Sequence, residues 1–444
     1  MIKLKKIVNI IKKNEFANKL VKNFSFAAIG EGGASFINLL VVVLLIKLIG
    51  NDGYGVLILA QSYMLIIDTI INLQCWKSMI KFGEKAYKNN DFNSLMGYIK
   101  LGTILDIGTA ILGAIIGFFL TDLIGYIFSW ESSLVLSAKI FSIVILFHFS
   151  GTPTAVLRME NKFNLVSFQK IISAVIKVIT LLIFYLIEKK ISIINGVVIY
   201  AITDIIGHII LVMLTLNLLQ KKFGIKNILK AQVPKDSKEF IKFTMWTTLS
   251  DIVDLPVQYF DVFIVSKLGL GMVSIFKFFK QIVAILSKLT TPLYQAIFPQ
   301  FSSLAADGKE REGYKIVLKI RNIILMVMIP ISLLIGFTSH WWLGLIFDNI
   351  YASYWYVLLI YLLLQSFALS YTTIHPYFVS LGEVFYSFKY VLISNIVYIC
   401  LAFFLVGYLD MLGIVLAYAV QFTLVIVLKN EKIKKVLVVN NDNK

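Results

Sequence analysis

Charged residues are scarce in this sequence. Asp, Glu, Lys and Arg make up 15% of its 444 residues, whereas soluble proteins carry about 25%. Apolar residues fill the gap at 59%, and the mean hydropathy is +0.84. A water-soluble core of this length cannot hide that much apolar surface, so lipid is the solvent that fits.

Other absences narrow the function. The two cysteines, Cys75 and Cys400, sit in separate apolar segments and make neither a disulfide framework nor a metal knuckle. No Cys/His cluster has metal-ligand spacing, so neither a metal nor a cofactor is expected. A phosphate-binding Gly-x-x-x-x-Gly-Lys loop is missing, which excludes an intrinsic ATPase. No catalytic set emerges. The loops are also too short to hold the active site of a membrane-embedded polymerase or transferase, so an enzyme is not expected. Residues 1–22 are basic but lack a small-residue cleavage site, so no cleavable signal peptide is expected. Ile2, Leu4, Ile7 and Ile11 among the lysines of that stretch fit an interfacial amphipathic helix. A basic tail fits equally well.

What the sequence has in abundance is long apolar runs. A span needs roughly 20 mostly apolar residues. Such runs fall near 24–46, 54–76, 98–120, 134–157, 165–187, 193–219, 243–266, 272–299, 316–338, 355–380, 386–406 and 408–428. The expected fold is therefore an all-α integral membrane protein with about 12 transmembrane helices. Basic residues alternate between loops: 33 of the 42 Lys and Arg fall on the side of both termini, and the opposite loops hold only Lys47, Lys189, Lys190 and Lys267. By the positive-inside rule both termini are expected in the cytoplasm. The formal charge of +17 is then a topology signal with attraction to anionic membrane lipids as a side effect. It is not a nucleic-acid footprint, because the lysines are spread through short loops.

The basic loop 220–242 divides the chain near its middle, and both sides begin alike. Lys22-Asn23-Phe24 leads into a span ending in Ile46-Lys47-Leu48-Ile49-Gly50, while Lys242-Phe243-Thr244 leads into one ending in Ser266-Lys267-Leu268-Gly269. Two six-helix halves with the same insertion direction imply a parallel repeat with a central substrate cavity. The expected organisation is a basic tail or interfacial helix over 1–22, an N-terminal lobe over 23–219, a cytoplasmic linker over 220–242, a C-terminal lobe over 243–428 and a cytoplasmic tail over 429–444.

Ionisable residues inside spans are costly and are candidates for function. At about 100° per residue, Lys277, Lys280, Gln281, Lys288, Thr291 and Gln295 share one face of the eighth span. The seventh answers with Thr247, Asp251, Asp254, Gln258 and Asp261. In a simple hairpin Asp261 matches Lys277 in depth and Asp251 matches Lys288. Two readings stand: the charges neutralise each other, or they line a water-filled cavity. The first half carries Glu31, Asp68, Asp106, Lys177 and Asp204. Asp204 and His208 lie one helical turn apart, a spacing that suits a proton relay, a cation site or plain helix packing. His148 and His375 have no partner visible in the sequence. Glu31 precedes Gly32 and Gly33, and Pro256, Pro292 and Pro299 mark kinks where freed carbonyls can line a cavity.

Several short stretches carry a family resemblance: Asn23-Phe24, Leu48-Ile49-Gly50 with Tyr54-Gly55-Val56, Pro153-Thr154-Ala155-Val156-Leu157-Arg158, and Phe298-Pro299 with Ser302-Ser303-Leu304. With twelve spans and basic loops on one side, the chain resembles O-antigen (Wzx-type) polysaccharide-unit flippases of the multidrug/oligosaccharidyl-lipid/polysaccharide exporter superfamily. The resemblance implies two six-helix lobes around a central cavity, alternating access in the bacterial inner membrane, and undecaprenyl-pyrophosphate-linked oligosaccharide as cargo for O-antigen, capsule or lipopolysaccharide assembly. Other polysaccharide-assembly proteins are implied as partners. Lys177, Lys277, Lys280 and Lys288, with Gln281 and Gln295, are the residues able to hold an anionic cargo, Lys280 and Lys288 foremost. H+ or Na+ coupling, or gating, would draw on Glu31, Asp68, Asp204, His208, Asp251, Asp254 and Asp261. A cation-coupled drug or metabolite antiporter of the same superfamily is the alternative, and would favour acidic over basic cavity residues.

Overall fold

The computed structural model describes residues 15–347 and 349–442, and the side chains of 15–31, 289–296, 298, 299, 306 and 439–442 are outside that description. The lysine-rich stretch 3–13 therefore lies outside the described residues, as do the side chains of Glu31, Thr291, Gln295, Pro292 and Pro299. No strand occurs among the described residues. The principal helices are α1 (Glu15–Ile71), α2 (Phe92–Ile127), α3 (Ser132–Val144), α4 (Gly151–Met159), α5 (Phe163–Glu188), α6 (Ile193–Lys222), α7 (Ser237–Val253), α8 (Asp261–Val265), α9 (Leu270–Ala306), α10 (Glu310–Ile346), α11 (Trp355–Ser370), α12 (Ile374–Ser380) and α13 (Val384–Asp442).

Two of these are too long for one crossing. At 1.5 Å per residue the 57 residues of α1 and the 59 of α13 would each exceed twice the thickness of the hydrocarbon layer. Each is broken by one residue off helical geometry: Gly50 (φ 77°, ψ 171°) in α1 and Asp410 (φ 51°, ψ −140°) in α13. Gly50 has its counterpart in Gly269 (φ 111°), which separates α8 from α9. Both follow a Lys-Leu pair, and a positive φ is the conformation glycine adopts without a Cβ penalty. With α3–α4, α7–α8 and α11–α12 each forming one interrupted crossing, the chain is an all-α membrane protein of twelve spans in two six-helix halves.

The chain separates into two compact units. One holds the chain up to Leu44 together with Ile67–Leu249; the other holds Leu45–Ile66 and everything from Ser250 onward. The exchange of 45–66 into the second unit has a physical basis. The Asn51 carbonyl accepts from Ser274 Oγ at 2.5 Å, and its Oδ1 accepts from Tyr351 OH at 2.7 Å. Tyr351 itself is 1% exposed.

In the first unit, helix α1 stops at Ile71, and residues 72–74 have no regular structure. The fourth crossing is likewise not continuous: a 3-10 turn over Ile145–Phe147 and an irregular stretch over 148–150 separate α3 from α4. Broken helices at membrane depth are tolerated only where other groups satisfy the freed backbone. Here Asp106, fully buried on α2, accepts the Cys75 amide at 2.7 Å and the Thr152 amide at 2.6 Å. Gly151 lets the two breaks touch, since a Cβ there would sit 2.8 Å from the Cys75 nitrogen. The basic stretch 220–242 is folded: α6 continues to Lys222, Ile225–Lys230 is helical, Lys100 Nζ donates to the Ala231 carbonyl at 3.1 Å, and Tyr98 OH bonds Asp236.

The seventh crossing runs from α7, most of which belongs to the first unit, through a π-helical turn at Pro256–Phe260 into α8, both in the second unit. At the other end of the unit α13 runs on past 429, so the stretch expected as a tail is helical to Asp442, with Lys429 3% exposed and Ile433 fully buried.

Candidate functional site

Two polar centres emerge, one in each unit. In the first, Asp68 on α1 is the hub. Its Oδ1 accepts from Asn72 Nδ2 at 3.0 Å and its Oδ2 from Gln74 Nε2 at 3.2 Å. The same Oδ2 lies 3.1 Å from Nδ1 of His148, in the irregular stretch between α3 and α4. Asn72 Nδ2 also donates to the His148 carbonyl at 3.1 Å, tying the two helix breaks together. From α5, Lys177 Nζ reaches Asp204 Oδ1 on α6 at 2.6 Å and lies 4.3 Å from the centre of the Tyr200 ring. His208, one turn along α6 from Asp204, packs its ring against His148 with centroids 4.3 Å apart.

This centre joins residues that the sequence left apart. Asp204 and His208 are neighbours, as their spacing requires, and His148, whose partners are not visible in the sequence, joins them. It stands against Asp68, Asp204 and His208 together. Lys177 is 6% exposed and bound to Asp204, so its charge is balanced within the unit. Such pairs hold because the cost of burying each charge is offset by its partner; removing one costs about 3–5 kcal/mol. Among the described residues, a Cβ at Gly32 would meet nothing within 4 Å, and one at Gly33 would make only ordinary contact with Ile171.

In the second unit the charge pairing differs from the simple hairpin. Asp261, 2% exposed, pairs with Lys280 and not with Lys277. The π turn is the reason. It adds a residue at Pro256–Phe260, rotating α8 relative to α7, and frees carbonyls that Lys280 then takes up. Lys280 Nζ donates to Val257 O at 2.8 Å, to Gln258 O at 2.9 Å and to Asp261 Oδ2. Those three bonds use all the donors of an ammonium group. Lys277, one turn earlier on α9 and half-buried, makes no hydrogen bond or ion pair among the described residues, and Gln281 is half-buried beside it. Asp251, Asp254 and Gln258 are exposed on the seventh crossing, and Lys288 is half-buried on the eighth. Deeper polar links hold the unit: Gln365 Nε2 donates to Ser287 Oγ at 2.9 Å, and Tyr418 OH to Gln365 Oε1 at 2.8 Å. His375 also has partners, with Ser387 Oγ at 3.2 Å and Lys429 Nζ at 3.1 Å from its Nδ1.

Outside the spans, a cavity of about 970 Å³ lies in the first unit between residues 82–98 and 227–236, with Lys85, Lys230, Asp91 and Asp236 in its wall. Asp91 caps α2 by accepting the Ser94 amide at 3.0 Å, and its bonds to Ser94 hold its carboxyl below the usual carboxylate range.

Comparison with known proteins places this architecture. Residues 20–305 match the family described as "Polysaccharide biosynthesis protein". A stretch of 117 residues is 26% identical to "Inner membrane protein YghQ" of Escherichia coli K12, covering 26% of this chain and only 33% of that protein. Among solved structures, the fold is similar to an inward-facing multidrug resistance MATE family transporter of the MOP superfamily, with a TM-score of 0.77 and 15% identity over 91% of this chain and 95% of the other. It is also similar to the lipid II flippase MurJ in an inward closed conformation, with a TM-score of 0.69 and 16% identity over 92% and 87%. The chain thus belongs to the polysaccharide biosynthesis protein family, and its fold is similar to those of the MATE transporter and of MurJ.

Proposed function

We propose that this protein is a flippase that moves a lipid-linked oligosaccharide across the bacterial inner membrane, with both termini in the cytoplasm. The observation that carries the reading is Lys277. A lysine inside a span with no hydrogen bond or ion pair of its own among the described residues is expensive unless water or an anionic ligand reaches it, and the nearby Asp261 is already bound to Lys280. An undecaprenyl pyrophosphate supplies two phosphate charges of the right sign, with Gln281 and Lys288 on the same helix face to bind phosphate or sugar oxygens. The polyprenyl tail stays in lipid while the head group is carried by alternating access of the two lobes. Family membership agrees with such a cargo.

The test is genetic. Cells lacking the protein should accumulate lipid-linked repeat units and lose surface polysaccharide. Wild-type protein should restore the polymer, Lys277→Ala should not, and Lys277→Arg should restore it in part, all at equal membrane abundance. Full restoration by Lys277→Ala would remove the support.

The exposed Asp251 and Asp254 favour a second reading, an antiporter for cationic drugs or metabolites. In that case Asp251→Asn would abolish export of a cationic dye while surface polysaccharide stayed normal. In the flippase reading these acids serve coupling to a proton or sodium gradient.

A further inference from the structure

We propose that the first unit carries a built-in site for one divalent transition-metal ion of the zinc type, held by His148, Asp204 and His208. The inference is independent of the cargo. One ligand atom from each of the three residues lies within 4.8 Å of the others. His148 Nε2 stands 3.8 Å from Asp204 Oδ2. A tetrahedral ion with bonds of about 2.0–2.2 Å needs its ligand atoms about 3.3–3.6 Å apart, so rotations that move them by about 1 Å or less close the set.

Three further observations point to a ligand. Two buried ring nitrogens, His148 Nε2 and His208 Nδ1, have no hydrogen-bond partner among the described residues, and His148 is 6% exposed. A buried nitrogen left unpaired costs stability, whereas a lone pair aimed at an ion does not. The Asp68 carboxylate accepts from Nδ1 of His148, which holds a proton on that nitrogen and turns Nε2 toward Asp204. A carboxylate behind a histidine is the usual support of a metal-bound imidazole. Finally, Lys177 binds Asp204 through Oδ1, while Oδ2 faces His148 Nε2 at 3.8 Å.

The donor set selects the ion. Two imidazoles with one carboxylate suit zinc and its neighbours, whereas sodium, calcium and magnesium prefer oxygen ligands. Asp68, Asp204 and Lys177 together carry one net negative charge, which a divalent ion converts to one net positive. Asp204 and His208 are half-buried, so an ion and a water in the fourth position can reach the site. The spacing rules for metal ligands miss it because the three ligands come from two crossings, one of them at a helix break.

Tag-free protein in lipid nanodiscs, dialysed against Zn2+, should retain one equivalent by elemental analysis. With Co2+ it should show the intense visible absorption of a four-coordinate site. His148→Gln and His208→Gln should each lose the bound ion, and Asp68→Asn should weaken binding about 10–100-fold. Absence of stoichiometric zinc and of the cobalt bands in the wild type would overturn the proposal, as would retention of the ion by folded histidine variants. If the variants fail to fold, the wild-type cobalt spectrum decides alone.

Discussion

Replacing Asp106 with alanine isolates the group that holds the first unit's two helix breaks together. Its carboxylate accepts the Cys75 and Thr152 amides at 2.7 and 2.6 Å in a fully buried setting. Hydrogen bonds to a charged group contribute about 1.5–3 kcal/mol each. Losing both, with two amides left unsatisfied, should cost about 3–6 kcal/mol. Asp106→Asn keeps one acceptor and turns a donor toward the other amide, so it should cost about half as much or slightly more. Equilibrium unfolding in mixed detergent–SDS micelles, followed by tryptophan fluorescence, measures both losses. If Asp106→Ala unfolds at the wild-type SDS fraction while transport fails, the carboxylate acts on cargo or ion and not on the backbone, and the structural account of the breaks is wrong.

Other perturbations test separate parts of the structure. Gly151→Ala pushes a Cβ to 2.8 Å from backbone atoms of Gln74 and Cys75; it should lower stability by about 1–3 kcal/mol or more, read in the same SDS titration. Asp204→Ala strands the Lys177 ammonium and should cost about 3–5 kcal/mol, whereas the double change Lys177→Met with Asp204→Leu should recover most of it. Asp91, whose bonds to Ser94 lower its carboxyl's affinity for protons, adds stability above the ordinary carboxylate pKa and loses it as the pH falls through its own lower value. Protection factors at the start of α2, corrected for the intrinsic pH dependence of amide exchange, should therefore fall in acid in the wild type but not in Asp91→Ala.

Some of this was legible in the sequence for clear physical reasons. Twelve apolar runs, the two Lys-Leu turns and the Asp204–His208 spacing follow from hydropathy and helical period, which are local. Gly50 and Gly269 signalled the turns because few other residues accept their φ values. The rest depended on departures from the helix. His148 meets Asp68 only because two crossings break, at 72–74 and 148–150, and the period of a regular helix predicts no such break. Asp261 chose Lys280 over Lys277 because the π turn at Pro256 changes which way α8 faces. Pro256 did signal a kink there, but not its sense. Asp106 read as a span charge with a functional claim, whereas its two bonds go to backbone amides of distant segments.

The most direct test of the proposed function is reconstitution. Protein in sealed proteoliposomes should translocate a fluorescent undecaprenyl-pyrophosphate-linked oligosaccharide, measured by the label's protection from an outside quencher. Lys277→Ala should reduce the rate at least tenfold with unchanged folding. Equal rates for the wild type and Lys277→Ala, or for the wild type and protein-free vesicles, would contradict the account.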